Sequence, residues 1–386
     1  MKVVNISKLK IGTRYSKPLY LDSENIFINA NTPITDEDIA RLKKFGFNEV
    51  LTDGEEVKDM YSISLTSDMQ EVFGNTSLRE IYDKYVKELP TFNKIYKKSI
   101  DVIQNCYQKI AEDKSFDINQ LRNITEEIID FTKTSENVSF NLLQRKNEDY
   151  YLYNQVLHST IFSILIGLEM HYSYPKLVDL GIASLLADSG MIKLPTSISQ
   201  KNSSLNEEEF KVIKKHPLFG YQFLTKVLKI KNNLAVIALQ HHESFDGSGY
   251  PQKLNKDSID QASKIFSVAD NFSAMIIKRP WRKKQLPYEA MRNMLSVNMN
   301  KFDLTILRTF LNCLSMYPVG SYVELSDSSL AIVLKANKEK SLRPALMILK
   351  DSWGNRTNNS LFVDLLHENQ LYITRAIDWE IETENE

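Results

Sequence analysis

The sequence predicts a mainly α-helical protein, in which a helical bundle lies between a small β-rich N-terminal module and a small β-rich C-terminal tail. Three observations favour this fold class. Apolar residues recur at three- and four-residue intervals through most of residues 66–316, short apolar runs alternate with turns before them, and β-forming residues cluster after them. The 386 residues are 42% apolar and 25% charged, which is typical of a globular protein of two or three domains.

We predict four consecutive regions. Residues 1–60 form the β-rich module with one helix, for which a structural role fits best, with docking or regulation left open. Residues 61–146 form a charged helical lead-in that packs on the following core and could also lie along a partner chain. Residues 147–316 form the bundle, and residues 317–386 form the β tail, whose acidic end is expected to fray.

Sequence breaks and start signals divide these regions into elements. In the bundle, the periodic segments are broken at Pro175, Pro195, Gly249-Tyr250-Pro251 and Arg279-Pro280. Asn206, followed by Glu209, has the spacing of a capping box and predicts a helix start. The predicted tail strands lie within residues 319–325, 330–334, 345–349, 361–365 and 371–373.

Charge and cysteine content exclude some classes of function. The net charge is −1, from 48 basic and 49 acidic residues, so there is no overall electrostatic case for binding DNA or an anionic membrane. Cys106 and Cys313 lack metal-ligand spacing and are expected to be free thiols in a reducing compartment. No signal peptide is visible, and the most apolar run, residues 161–168, is too short to span a bilayer. We therefore expect a cytoplasmic protein.

The segment from His241 to Pro251 is the richest in chemically useful side chains. It holds two adjacent histidines, two acids and a glycine-punctuated turn, in a chain with only six histidines. Histidine and carboxylate are common ligands of divalent metals, although a surface turn with incidental histidines would give the same string. The bundle also offers Asp188, His216 and Asp270, each expected at or near a helix end. Singly, each is more often a hydrogen-bonded polar group, but together they favour a metal site.

These residues carry a family resemblance. His241–Pro251 resembles the signature of the HD-GYP family, bacterial metal-dependent phosphodiesterases of the cyclic dinucleotide c-di-GMP. The similarity extends to other parts of the bundle, namely Leu185–Gly190, Lys214–Gly220, Val268–Phe272 and Arg279–Arg282. The resemblance implies an HD-domain-type helical bundle, in which two or three ions, iron or manganese best suiting the ligands, hold a phosphodiester and supply a hydroxide.

The resemblance also implies roles for individual residues. Asp188 would bridge metals, and would be the catalytic residue of an active enzyme. His216, His241 and His242 would complete one metal site, and Asp270 would belong to another. Ligand binding would fall to three further residues, Arg279, Arg282 and Tyr250.

The chain departs from the family pattern at three positions. Ala187 stands where the family has the histidine of its His-Asp pair, Gln155 where an upstream helix supplies another histidine, and Met191 where a lysine contacts substrate phosphate. His158 lies three residues after Gln155, points about 60° away from it on a helix, and is better explained as a satisfied core histidine. These changes predict one divalent metal site in place of two or three.

Three functions remain open. The first is a degenerate member that binds metal and c-di-GMP, or a related cyclic dinucleotide, with lost or strongly reduced turnover. The second is an active phosphodiesterase with an altered metal site. The third is a scaffold that acts through protein contacts, with a diguanylate cyclase domain or another signalling protein as partner; a homodimer is compatible with any of the three.

Overall fold

The computed structural model of the chain describes residues 1–9, 13, 15–22, 25–29, 34, 36–56, 78–135, 138–143, 151–199, 201, 203–279, 282–296, 299–337, 340–357 and 361–378. The backbone divides into two compact units. One comprises Lys84–Pro318, and the other comprises Met1–Asp83 together with Val319–Glu386. The predicted boundaries at residues 60 and 146 fall outside the described residues, so the four-region division stays a prediction.

The N-terminal residues form a four-stranded antiparallel sheet with one helix. Its elements are β1 (Lys2–Asn5), β2 (Leu19–Tyr20), β3 (Ile26–Ile28), α1 (Asp36–Lys44) and β4 (Glu49–Thr52), with the strand order β1-β4-β2-β3. Leu19, Ile34, Leu42 and Val50 are fully buried in a small apolar core of this sheet and helix. The predicted β-rich module with one helix is therefore present.

The second unit is helical. After α2 (Leu78–Ala111), which begins a few residues before this unit, it contains α3 (Asn119–Thr134), α4 (Val138–Leu143), α5 (Tyr151–Glu169), α6 (Tyr174–Leu185), α7 (Thr196–Ser199), α8 (Glu207–Ile213), α9 (His216–Lys226), α10 (Asn232–Gln240), α11 (Gln261–Ile276), α12 (Pro287–Ser296) and α13 (Leu304–Leu314). The Asn206 side chain accepts a hydrogen bond from the Glu209 amide, and the Glu209 carboxylate accepts one from the Asn206 amide, a capping box that confirms the predicted helix start of α8.

Helix α5 is the centre of the bundle. It packs against α6, α11 and α13, and it is buried from Gln155 to Gly167 apart from Leu165. A helix buried on every side is stable only if its polar side chains find partners, because an unpaired buried polar group costs free energy. Gln155 and Ser159 of this helix are therefore expected to bond to neighbouring helices.

The tail forms a five-stranded antiparallel sheet. Its strands are β5 (Tyr322–Leu325), β6 (Leu330–Lys335), β7 (Ala345–Lys350), β8 (Phe362–Asp364) and β9 (Ile373–Ile377), in the order β8-β7-β6-β5-β9. The predicted fold class is confirmed. The last strand lies later than the predicted 371–373, because Leu371 is buried in advance of the strand rather than paired within it.

The break predicted at Pro175 is present: α5 ends at Glu169, and Pro175 is the second residue of α6, in the first turn, where its missing N–H is not needed. Cys106 is buried and Cys313 is half-buried, and the two are not joined in a disulfide. Within the described part of the chain, no helix has the length and apolar character needed to cross a bilayer.

Candidate metal centre

Asp188 lies just beyond the end of α6, near a helix end as expected. It precedes a 3₁₀ turn, Ser189–Lys193, that packs against α9. Gly190 makes this close packing possible, because a Cβ atom there would lie 1.9 Å from the carbonyl oxygen of His216. The sequence Asp188-Ser189-Gly190 thus brings the carboxylate directly beside the first residue of α9.

Two histidines are oriented by backbone carbonyls. Nδ1 of His216 lies 2.8 Å from the Ile213 oxygen, and Nδ1 of His241 lies 3.0 Å from the Ile237 oxygen. A carbonyl can only accept a hydrogen bond, so Nδ1 carries the proton in each ring. In the neutral rings, Nε2 therefore presents a lone pair.

These lone pairs converge with the Asp188 carboxylate. The two Nε2 atoms of His216 and His241 are 3.1 Å apart, and Oδ1 of Asp188 is 3.3 Å from the first and 3.5 Å from the second. His242 completes the group, in which one ligand atom from each of the four residues lies within 4.8 Å of the others. Three electron-donating atoms pointing at one another need a cation between them, and a set of three imidazoles and one carboxylate fits a divalent transition metal.

The electrostatics of Asp188 and His242 are consistent with a cation site. Burial opposes ionisation of Asp188, but its close contacts with His216 and His241 outweigh it and hold the pKa of its carboxyl well below the usual range. Burial and the neighbouring His241 and His216 push the pKa of His242 well below its usual range. Asp188 therefore carries a negative charge and His242 a free lone pair at neutral pH, the forms that bind metal.

The glycine-rich loop supports His242 without adding a ligand. Tyr250 stacks on His242, with ring centroids 4.8 Å apart, and its amide donates to the His242 carbonyl at 3.1 Å. Glu243 is buried, and its carboxylate accepts from the amides of Gln252 and Leu254 at 2.6 and 2.9 Å. Gly249 is required because a Cβ there would lie 2.3 Å from the Ser244 nitrogen. Glu243 thus holds the loop, and Tyr250 covers one face of His242.

Asp270 has a different environment from the four donors. It lies in the middle of α11, not near a helix end as expected, and it is not part of the four-residue group found among the described residues. Its Oδ1 accepts hydrogen bonds from Nε2 of Gln155 at 2.7 Å and from the Ser159 hydroxyl at 3.2 Å. The other end of Gln155, Oε1, accepts from Arg279. Burial and the Asp188 charge raise the pKa of Asp270.

The other residues that the sequence predicted for the site make contacts of their own. Arg279 contacts Gln155, and its guanidinium is 5.9 Å from the centre of the Tyr151 ring, whereas Arg282 donates to the Ala274 carbonyl. Their backbones pair with each other, so both lie on one short loop. Ala187 is fully buried in the apolar core and Met191 is half-buried, and neither offers a charge or ligand atom.

His158 and Lys193 do not substitute for the changed positions. His158 is buried and packs edge-on against Tyr96 and Phe162, away from the four donors, as the sequence predicted. Lys193 bonds to Asp113 and so does not replace a cation at Met191. A cation that the sequence analysis missed is Lys214, an exposed residue whose Nζ lies 5.3 Å from the centre of the Tyr250 ring. In the sequence, the only indication of a role for Lys214 is its position two residues before His216.

Comparison with known proteins identifies two domain families in the chain. Residues 137–306 match the family described as "HD domain", and residues 322–384 match that described as "KOW domain associated with HD domain". A cyclic di-GMP phosphodiesterase of Pseudomonas aeruginosa is 27% identical over 235 residues, which cover 61% of this chain and 56% of that protein. Cyclic di-GMP phosphodiesterase PdeB of Borreliella burgdorferi is 28% identical over 202 residues, covering 52% and 53% of the two chains.

The chain carries an HD domain of the HD-GYP family. The chain spans about half the length of these two phosphodiesterases. A solved structure described as an HDG"Y"P protein from Bdellovibrio bacteriovorus aligns with a TM-score of 0.46 and 15% identity, covering 80% of this chain and 97% of that one. In this HD-GYP domain, Asp188, His216, His241 and His242 are the four residues brought together as a possible metal-binding group.

Proposed function

We propose that this HD-GYP protein binds one divalent metal, iron or manganese, and above it c-di-GMP or a related cyclic dinucleotide, with phosphodiesterase turnover lost or strongly reduced. The observation that carries the proposal is the 3.1 Å approach of two Nε2 lone pairs beside the Asp188 carboxylate. The proposal rests on the metal affinity of this group and on the absence of a comparable set of donors around Asp270 in the described residues.

The surroundings of Asp270 disfavour a second ion. The Gln155 amide already directs a hydrogen at the carboxylate oxygen that would bind it, and the Ser159 hydroxyl, which also bonds the Gln155 carbonyl, lies 3.2 Å from the same oxygen. Arg279, joined to the other end of Gln155, adds a fixed positive charge that repels a cation. A two-metal phosphodiesterase uses both ions to hold attacking and leaving oxygens, and the loss of one costs orders of magnitude in rate.

The remaining groups suit an anionic ligand. A divalent ion on one carboxylate and three neutral imidazoles leaves a net positive charge, to which a phosphodiester is attracted. The guanidiniums of Arg279 and Arg282 offer paired N–H donors, and Lys214 adds a cation beside Tyr250. When bound, the metal would act as a Lewis acid on a phosphate oxygen. Asp188 and the three histidines would hold that ion, and Tyr250 would keep His242 in place.

The test is a metal analysis of the purified full chain combined with binding and turnover of c-di-GMP. We expect one metal ion per chain, measurable c-di-GMP binding by calorimetry, and hydrolysis no faster than that of the His241→Ala variant. Rapid hydrolysis by the unmodified chain with added manganese or iron, lost in His241→Ala, would sink the proposal.

That same outcome defines the second candidate function, a working phosphodiesterase with an altered metal site. It is favoured by one observation, the complete four-residue donor set, because a single ion can still activate water. Turnover that depends on both added metal and His241 would establish it. If the chain binds neither metal nor nucleotide, the scaffold function is the alternative that remains.

A further inference from the structure

Tyr107, on the lead-in helix α2, contacts the end of the helix that leads to Asp188. The Tyr107 side chain is fully buried, and its hydroxyl donates a hydrogen bond to the carbonyl oxygen of Leu185 at 3.1 Å. Leu185 is the last residue of α6, three residues before Asp188. The ring of Tyr107 also packs edge-on against Tyr153 of α5, with centroids 5.6 Å apart. One side chain of α2 thus bonds α6 and packs on α5.

A second contact holds the chain on the other side of Asp188. Lys193, the last residue of the 3₁₀ turn, places Nζ 2.6 Å from Oδ1 of Asp113 and 3.5 Å from the carbonyl of Ala111, which ends α2. The Lys193 side chain is only 19% exposed, and its ammonium lies 5.2 Å from the Phe223 ring of α9. Lys193 is thus partly shielded from water at this contact, although Asp113 itself is exposed.

The segment between these two contacts needs outside support. Residues 186–192 are held internally by short turn bonds, such as Ser189 N–H to Leu186 O at 3.1 Å and Met191 N–H to Asp188 O at 2.9 Å. Such bonds define a turn but do not fix its orientation relative to the histidines. α9 packs against the turn at Gly190. On the other side, Tyr107 bonds to Leu185 and Asp113 pairs with Lys193. Burial and the nearby Asp188 charge raise the pKa of Tyr107 well above its usual range, in keeping with this proximity.

We propose that the lead-in helix α2 and the turn that follows it are part of the metal centre. Tyr107 and Asp113 are positioning residues that orient Asp188 towards His216 and His241. The inference rests on the proposed metal binding. Metal ligands must be placed to within about half an ångström, so supporting contacts one step removed from the ion control affinity. Coupling between two sites is reciprocal. Metal binding should therefore stabilise the end of α2, and a displacement of α2 should change the metal affinity.

The test compares two variants with matched controls on the full chain. Tyr107→Phe removes only the hydroxyl that bonds Leu185, and Asp113→Asn removes only the charge that pairs with Lys193. Tyr96→Phe, on the same helix, removes a hydroxyl that bonds Asn154 at 2.7 Å, and Glu112→Gln removes a charge that pairs locally with Lys114 at 2.8 Å. Asp113 is exposed, so its variant folds even if the buried tyrosine change weakens the protein.

Manganese affinity by calorimetry is the first readout, and hydrogen exchange of the amides of residues 186–194 is the second. We expect Tyr107→Phe and Asp113→Asn to weaken manganese binding on the order of tenfold, while the controls stay within about twofold. The two test variants should also speed exchange in residues 186–194, and added manganese should slow exchange at the end of α2 in the unmodified chain. Equal manganese affinity in all five proteins would overturn this inference alone. A failure of the unmodified chain to bind manganese would defeat the proposed function and this inference with it.

Discussion

Gln155 donates a hydrogen bond from Nε2 to Oδ1 of Asp270 across 2.7 Å, and so joins two helices inside the bundle. The bond satisfies a buried carboxylate with a neutral amide. Arg279 bonds the other end of the same amide, so that three side chains form one polar chain. This arrangement leads to the first prediction.

Replacement of Gln155 by histidine should raise the metal capacity of the chain from one ion to two. The change removes the amide donor from Asp270 and supplies an imidazole nitrogen, a better ligand for manganese or iron than an amide oxygen. Gln155→Leu, which removes the amide without adding a ligand, is the control and should stay at one ion. Calorimetric titration with manganese measures the capacity, and two ions in the unmodified chain would contradict the prediction.

The two buried aspartates should differ in their effect on metal binding. Asp188→Asn removes the charge that faces His216 and His241 and should abolish binding of the ion. Asp270→Asn has the same size change at a similarly buried site but lies outside the four-donor group, so the ion should be retained. Metal content of the purified variants decides the matter. Equal losses in both would argue that Asp270 is a ligand.

Lys214→Ala should weaken c-di-GMP binding about two- to fivefold, which corresponds to about 0.5–1 kcal/mol for an exposed charge. Its ammonium lies beside the Tyr250 ring, where a ligand phosphate would approach. The effect should shrink as salt is added, since an exposed charge is screened. Lys215→Ala, its exposed neighbour, provides the comparison by calorimetry at two salt concentrations, and identical losses in the two variants would refute a specific role for Lys214.

Asn206→Ala should lower the free energy of unfolding by about 1 kcal/mol, because it removes the side chain that caps α8. Asn206→Asp keeps an acceptor oxygen and should be nearly neutral. Denaturant unfolding followed by circular dichroism gives both values. No change in Asn206→Ala would mean that the bond from the Glu209 amide to the Asn206 side chain contributes little in water.

Much of the metal centre could be predicted from the sequence because metal ligands are recognised by their residue type. Asp188, His216, His241 and His242 were each singled out, and all four come together. The helix start at Asn206 could also be predicted, since Asn206 and Glu209 bond to each other within a single turn. Local signals of this kind do not depend on how distant helices pack.

The parts that escaped prediction depend on distant packing. Nothing in the sequence indicated that Gln155 would bond to Asp270, 115 residues later. The contact of Tyr107 with Leu185 spans 78 residues and involves a backbone carbonyl, which has no signature in a side-chain pattern. Glu243 was noted only as one of the two acids of the His241–Pro251 segment, and its role became clear from two amides later in the loop, which donate hydrogen bonds to its two oxygens.

The unequal exposure of the four donors has a consequence for how fast metal can be exchanged. Asp188, His216 and His241 are buried, whereas His242 is half-buried beneath the Tyr250 ring. We therefore expect an ion to enter and leave past this stacked pair. If release requires the Tyr250 ring to move off His242, a chelator in solution should remove the ion slowly, at a rate independent of chelator concentration.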